Sequence, residues 1–260
     1  TLAGIDKARS SQLKPPWPDL VITAGRRNEP VARWIRRQSG GVTRLVHVGR
    51  PWAALETFDL IVVTPQYFVP ERSNVLYVNL PLHALTRSQL DETAAQWEAG
   101  FAHLPRPFWT VLLGGDSGPF VFDTAKARWL ARWLNVAVAR SGGSVLVSNS
   151  PRTRAKTYEA FLSQLDVPVH AFHWADAGVN PYAGFLAVAD RLVVTGESMS
   201  MLAEAVAACR PMFIFDLSDC PQWRGDRKAR CRSWWLYPHN YRYRPLVHRL
   251  AMWLGPGRMR

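Results

Sequence analysis

Val193-Val-Thr-Gly-Glu-Ser-Met-Ser-Met-Leu-Ala-Glu-Ala205 carries the clearest fold signal in the chain. A β-branched run ends at Thr195, a small polar loop follows, and a helical period begins near Ser198. A helix N-terminus presents unpaired N–H groups and a partial positive charge. With Gly196, Ser198 and Ser200 beside it, this point is a candidate phosphate seat. Glu204, about one turn further in, is placed to accept hydrogen bonds from ribose hydroxyls. An ordinary βα turn with serine caps fits the same spacing.

The same strand–turn–helix unit recurs on both sides of this stretch. Asp19–Ala24 reads as a buried strand, and Asn28 as the cap of a helix with Pro30 in its first turn and Trp34 and Ile35 on its core side. Arg44–Val48, Leu60–Thr64 and Val75–Val78 read as further strands. Ser88–Phe101 reads as a helix, with Ser88 ahead of Asp91 and Glu92 in the manner of a capping box. After Leu104-Pro-Arg-Pro107 a second series begins. Its strands are Phe108–Leu113, Ser144–Val147, Val167–Phe172, Arg191–Thr195 and Met212–Phe215. Its helices run from about Asp123 to Arg140, from Thr153 to Gln164 and from Ser198 to Ala208, and Leu246–Leu254 reads as a terminal amphipathic helix.

Such alternation implies α/β architecture, with parallel sheets covered on both faces. Two series joined by a proline-bearing linker predict two Rossmann-like domains facing across a cleft. The boundaries expected are an N-terminal domain over 1–104, a C-terminal domain over 105–240 and a helix over 241–260 that packs back. The first domain opens on a polar stretch, Thr1 to Lys14, rather than on a strand and glycine loop, and so reads as incomplete at its N-terminus.

Composition narrows the class further. The 260 residues are 48% hydrophobic and 20% charged, which excludes a disordered chain. Lys and Arg total 32 against 20 Asp and Glu, a net charge of +12, and only five of the 32 are lysine. Arginine grips phosphate through a planar fork, so the excess points to nucleic acid, anionic lipid or a phosphorylated ligand. No helix-turn-helix, zinc finger or aromatic RNA-binding signature accompanies it, which leaves nucleic acid the weakest of the three. Cys209, Cys220 and Cys231 form no CxxC pair and no zinc spacing, so neither a disulfide scaffold nor a structural metal is expected. Free thiols and the lack of a membrane-spanning run suggest a cytoplasmic protein, peripheral on the inner face of the membrane at most.

Two more loops end predicted strands. Gly114-Gly-Asp-Ser-Gly118 follows the first strand of the second series, and its Gly114, Gly115 and Ser117 are candidates to approach a phosphate closely. A ligand-free tight turn explains it equally well. Ser148-Asn-Ser-Pro-Arg-Thr153 offers Arg152 as a phosphate clamp, although a lone arginine is more often a surface residue. In the first half, Gly25, Arg26, Arg27 and Arg50 occupy equivalent positions on what would be the acceptor side. All lie at C-terminal strand ends, where open α/β sheets collect ligands. His173 and Trp174, in a loop reaching to Asn180-Pro-Tyr182, are candidates for the nucleobase side. Loop packing is the commoner meaning of such aromatics. From Trp223 to Arg244 tryptophan and tyrosine interleave with arginine, a mixture suited to a membrane interface or a lid. No GxSxG or HExxH motif is present, and no catalytic base can be named.

Several stretches together carry a resemblance. They are Pro16–Arg27, Arg44–Pro51, Gly114-Gly115, Ser150–Thr153, Asn180–Tyr182 and Val194–Ala205. In these the chain resembles the bacterial relatives of the plant "elongated mitochondria" fission proteins, whose name describes a phenotype rather than a reaction. The resemblance implies a fold similar to two-domain GT-B glycosyltransferases, in which the C-terminal domain binds a nucleotide-sugar. It implies diphosphate contacts at Ser198 and Ser200 and a ribose contact at Glu204. The chain departs from the family pattern at Glu197, where Asp is usual, and at Cys209, where Gly is usual. The expectation is a metal-independent glycosyltransferase with a nucleotide-sugar donor as substrate and no cofactor. Its acceptor would be an anionic glycan or lipid-linked sugar of the cell envelope. The alternative is a non-catalytic scaffold that recruits a partner at a membrane surface.

Overall fold

The computed structural model describes residues 5–6, 8–117 and 120–217. These fall into two compact units that divide between Pro81 and Leu82. The first holds a four-stranded parallel sheet of β1 (Leu20–Ala24), β2 (Arg44–Val48), β3 (Leu60–Val63) and β4 (Val75–Tyr77), in that order. Helix α1 (Glu29–Gln38) makes the crossover from β1 to β2. Ala32 of α1 buries against Leu45, Phe58, Ile61 and Val63. On the other face Leu20, Ile22 and Leu76 stay exposed.

The second unit is a five-stranded parallel sheet in the order β7-β6-β5-β8-β9. Its strands are β5 (Phe108–Leu113), β6 (Ser144–Asn149), β7 (Val169–Phe172), β8 (Arg191–Thr195) and β9 (Met212–Phe215). Its helices are α2 (Arg87–Trp97), α3 (Thr124–Ser141), α4 (Ala155–Leu162), α5 (Tyr182–Val188) and α6 (Met199–Ala207). All six residues of β5 are buried, as its central place requires. Side chains alternate along it. Trp109, Val111 and Leu113 pack with Leu130 and Leu134 of α3 and Phe161 of α4. Leu112 packs on the opposite face with Leu90 of α2, Leu186 of α5 and Leu202 of α6.

That second core moves the division between units. The expected boundary at 104/105 lies past α2, yet Leu90 shares a cluster with Leu112 and Leu186, and Phe101 buries against Phe108 and Phe185. The segment therefore folds with the second unit rather than closing the first. Helix starts differ in detail as well. Asn28 stands at the N-cap of α1, but its side chain donates to the Ala24 carbonyl instead of capping. The capping box of α2 is Thr86 with Gln89, whereas Ser88 donates to Glu92. Helix α4 begins at Ala155 because Thr153 is bonded to the end of β5. Helix α5 occupies what reads in the sequence as loop. Among the described residues no helix is long and apolar enough to cross a membrane. The basic aromatic segment 223–244, the helix over 246–254, Cys220 and Cys231 lie outside the described residues.

Candidate functional site

In the second unit the chain leaves β5 for β6 and β7 on one side, then returns to place β8 and β9 on the other. The crevice between β5 and β8 is thus the topological switch point, where loops diverge and ligands collect in open α/β sheets. Three loops meet there: Gly114-Gly115 after β5, Ser150–Thr153 after β6, and Gly196–Ser198 after β8.

The loops are bound to one another. The Ser150 N–H donates to the Leu113 carbonyl at 2.9 Å, and the Thr153 hydroxyl donates to the carbonyls of Leu113 (3.1 Å) and Gly114. The Gly114 N–H donates to Thr195 Oγ1 at 2.8 Å, and the Gly115 N–H to Glu197 Oε1 at 2.6 Å. A Cβ on Gly114 would lie 1.8 Å from Glu197 Oε1, and one on Gly115 would lie 2.1 Å from the Arg152 carbonyl oxygen. The glycine pair is thus required by the chain's own approach. Both N–H groups expected to face a phosphate already have partners within the protein.

Glu197 fills the crevice. Its side chain is fully buried, and Oε2 has no hydrogen-bond partner among the described residues. Burial pushes its carboxyl above the ordinary range, against the opposing pull of the Gly115 N–H, its own N–H, the Thr195 hydroxyl and the Arg152 charge. Arg152 Nη2 lies 4.0 Å from Oε1 and donates to Ser198 Oγ at 3.2 Å. Ser198 is the N-cap residue of α6, but its side chain makes no cap bond. Ser200, in the first turn of α6, is exposed. Two groups suited to an anion, a half-exposed guanidinium and an uncapped helix start, therefore adjoin one another here.

Glu204 lies one turn further along α6. Its Oε2 accepts from the Tyr182 hydroxyl of α5 at 2.5 Å. Burial, then the bond to Glu204 and its charge, raise the Tyr182 pKa far above the usual phenol value, so the hydroxyl remains a donor. Gly196 donates to the Phe215 carbonyl and sits close against Ile214, a packing role beside β9. Ser117 pairs with Phe120 through two main-chain bonds. His173 and Trp174 follow β7, one strand beyond β6. The His173 ring lies 5.4 Å from that of Tyr158, and the Trp174 N–H donates to Asn149 Oδ1 at 2.8 Å. The structure thus brings together Gly114, Gly115, Arg152, Gly196 and Ser198. His173 and Trp174 stand at an outer strand.

The first unit has its own strand-end cavity, of about 470 Å³, lined by Gly25, Arg26, Arg27, Arg50, Trp52 and Tyr67 among others. The Arg26 guanidinium lies 5.6 Å from the Trp52 ring centroid, and Arg50 donates to the Tyr67 carbonyl at 2.9 Å. Buried Glu29 anchors the loop by accepting the N–H groups of Trp52 (2.7 Å) and Ala53 (2.9 Å). Among the described residues no His, Cys, Asp and Glu cluster suits a metal ion.

Glu197 and Tyr182 are the functional candidates that motif reading missed. Glu197 was visible only as a departure from a family pattern, and Tyr182 only as the end of a loop motif. Nothing in the sequence reveals that one reaches Gly115 and the other Glu204.

The pattern of the family described as Mitochondrial fission ELM1 matches residues 2–231. Mitochondrial fission protein ELM1 from Arabidopsis thaliana is 26% identical over 231 residues, covering 80% of this chain and 53% of that protein. Uncharacterized protein RP120 from Rickettsia prowazekii is 22% identical, covering 76% of this chain and 64% of that protein. The chain thus spans less than two thirds of either relative. Among solved structures, a glycosyltransferase from Rickettsia africae ESF-5 is 10% identical over 75% of this chain and 57% of that chain, with a TM-score of 0.42. POFUT1 in complex with GDP-fucose is 17% identical over 49% of this chain and 47% of that chain, with a TM-score of 0.32. Scores this low superpose no site upon another.

Proposed function

From the premise that the chain belongs to the Mitochondrial fission ELM1 family, we propose that its second unit binds a nucleotide-sugar at the β5–β8 switch point. On this reading it is a metal-independent glycosyltransferase acting on a cell-envelope glycan or lipid-linked acceptor. The observation that carries the reading is the Arg152–Ser198 pair at the uncapped start of α6. A diphosphate there would meet helix N–H groups and a guanidinium together, which stabilise a phosphate leaving group without a metal. Glu204, oriented by Tyr182, has its second oxygen left to accept a ribose hydroxyl. The Arg26, Arg27 and Arg50 cavity of the first unit suits an acidic acceptor by its charge. No general base is assigned.

One observation favours the second reading, a non-catalytic scaffold: the Gly114–Gly115 crevice is occupied by the chain's own Glu197. Thermal stabilisation by UDP-, GDP- and CMP-sugars decides between the two. Stabilisation that is lost in Glu204→Ala and Arg152→Ala supports the transferase reading. A flat response across the panel refutes it and favours the scaffold.

A further inference from the structure

A buried carboxylate with an unsatisfied oxygen is an unusual packing element. Glutamine or methionine would fill the same space without the cost of removing a charge from water. Yet the side chain of Glu197 is buried, accepts the Gly115 N–H through Oε1, and leaves Oε2 without a partner among the described residues. It reaches this position only because residue 114 has no Cβ. The carboxylate thus sits where the switch-point crevice would hold an external anion, taking a main-chain N–H and lying 4.0 Å from Arg152. Beyond the Ser198 contact, the guanidinium of Arg152 has no side-chain partner closer than this among the described residues.

We propose that Glu197 is an internal counter-anion of this crevice, and that an external anion enters beside Arg152 and the start of α6 together with a proton taken up by Glu197. The inference deepens the nucleotide-sugar reading and rests on it for the identity of the natural ligand. The charge logic is direct. With Glu197 ionised, a second anion beside Arg152 faces a like charge in a low-dielectric crevice. Protonated Glu197 removes that repulsion and leaves the Arg152 charge to the incoming group. Among the described residues, the other charged groups on these loops include Asp116, bound by Arg154 and the Phe122 N–H, and Asp216, exposed after β9. The raised carboxyl pKa of Glu197 brings this proton nearer to neutral pH.

Sulfate is a suitable probe because its own charge is constant between pH 5.5 and 8. Its affinity is measured by calorimetry across that range for the wild-type chain and for Glu197→Gln, with UDP titrated in parallel. The wild type is expected to lose about tenfold or more in sulfate affinity as pH rises. Glu197→Gln is expected to bind sulfate with little pH dependence, and more tightly than wild type at pH 8. In two buffers of different ionisation enthalpy, the wild type should take up a proton per sulfate bound, a readout that stands even if the variant folds poorly. Equal pH slopes in both proteins, no proton uptake, or no sulfate binding to the wild type at pH 5.5 would overturn the inference. Nucleotide reading is judged apart from this by the UDP arm: UDP binding without proton linkage leaves it standing, and sulfate binding without UDP binding leaves only the anion site.

Discussion

The contact between Gly114 and Glu197 can be tested by adding one methyl group. In Gly114→Ala the new Cβ would lie 1.8 Å from Glu197 Oε1, 2.8 Å from its Cδ and 2.9 Å from Thr195 Oγ1. The carboxylate must leave, and with it goes the 2.6 Å bond from the Gly115 N–H. A hydrogen bond to a charged group contributes about 1.5–3 kcal/mol. Rehydration of the displaced carboxylate and the lower entropy of an unfolded alanine return part of that. The expected net loss is about 2 kcal/mol, set by the bond at the upper end and these offsets at the lower. In a Glu197→Ala background the main obstacle is gone and only the Thr195 contact remains, so the same methyl should cost less than about 1 kcal/mol. Urea unfolding followed by tryptophan fluorescence on the four proteins of the cycle gives the coupling directly. A cost for Gly114→Ala that is the same in both backgrounds would refute the idea that Glu197 fills the glycine's space. Gly115→Ala is the contrast. Its Cβ meets main chain, the Arg152 carbonyl at 2.1 Å, so removing Glu197 should give no relief.

Two further predictions concern other parts of the fold. Cys209 is exposed and adopts φ of +52°, just after α6, a conformation that favours glycine. Cys209→Gly should therefore raise stability by about 0.5–1 kcal/mol, and a loss in urea unfolding would count against strain at this position. In the first unit, Asp59 accepts from the Leu45 N–H at 2.8 Å, from Arg44 at 2.7 Å and from Arg36 at 3.3 Å. Burial alone would raise its pKa, but these partners together hold it below the ordinary value of 3.8. A depressed folded-state pKa gives stability that is present above 3.8 and lost as pH falls through the lowered value. Asp59→Asn should remove that part of the acid-unfolding slope, and an unchanged slope would deny Asp59 its role.

The sheet strands were legible because β-branched runs between turn signals leave few alternatives, and β5, β6 and β8 fall where those runs lie. Helix α5 was not, for two reasons. Asn180-Pro-Tyr182 reads as a turn, and Gly184 within the helix lowers its helical signal. Gly184 is present for packing: a Cβ there would lie 2.6 Å from the Trp97 ring of α2. The division between units was misplaced by the same blindness to tertiary contact. A proline-rich stretch marks a turn locally, whereas the burial of Leu90 and Phe101 against the second sheet is decided by residues many positions away. Among the site residues, Arg152 and Ser198 were legible as strand-end and helix-start residues. Their mutual bond, and the carboxylate lodged between them and Gly115, depend on the order β6-β5-β8, which local pattern does not encode.

The arginine excess takes on a sharper meaning once partners are assigned. Arg36 and Arg44 serve Asp59, Arg106 joins Glu98 and Asp190, Arg154 holds Asp116, and Arg191 lies over the Trp109 ring. These cations have internal work and say little about an external partner. Arg152 differs, because among the described residues its nearest carboxylate is 4.0 Å away, buried, and pushed by its burial toward the neutral form. Were Glu197 to hold its proton, Arg152 would keep a charge that no carboxylate among the described residues balances, and an anion arriving at α6 would neutralise it. An anion-ready helix start and a crevice already filled by a carboxylate become one arrangement when the proton is counted. The pH dependence of sulfate binding is therefore the measurement that separates a crevice closed by its own carboxylate from one that admits an anion.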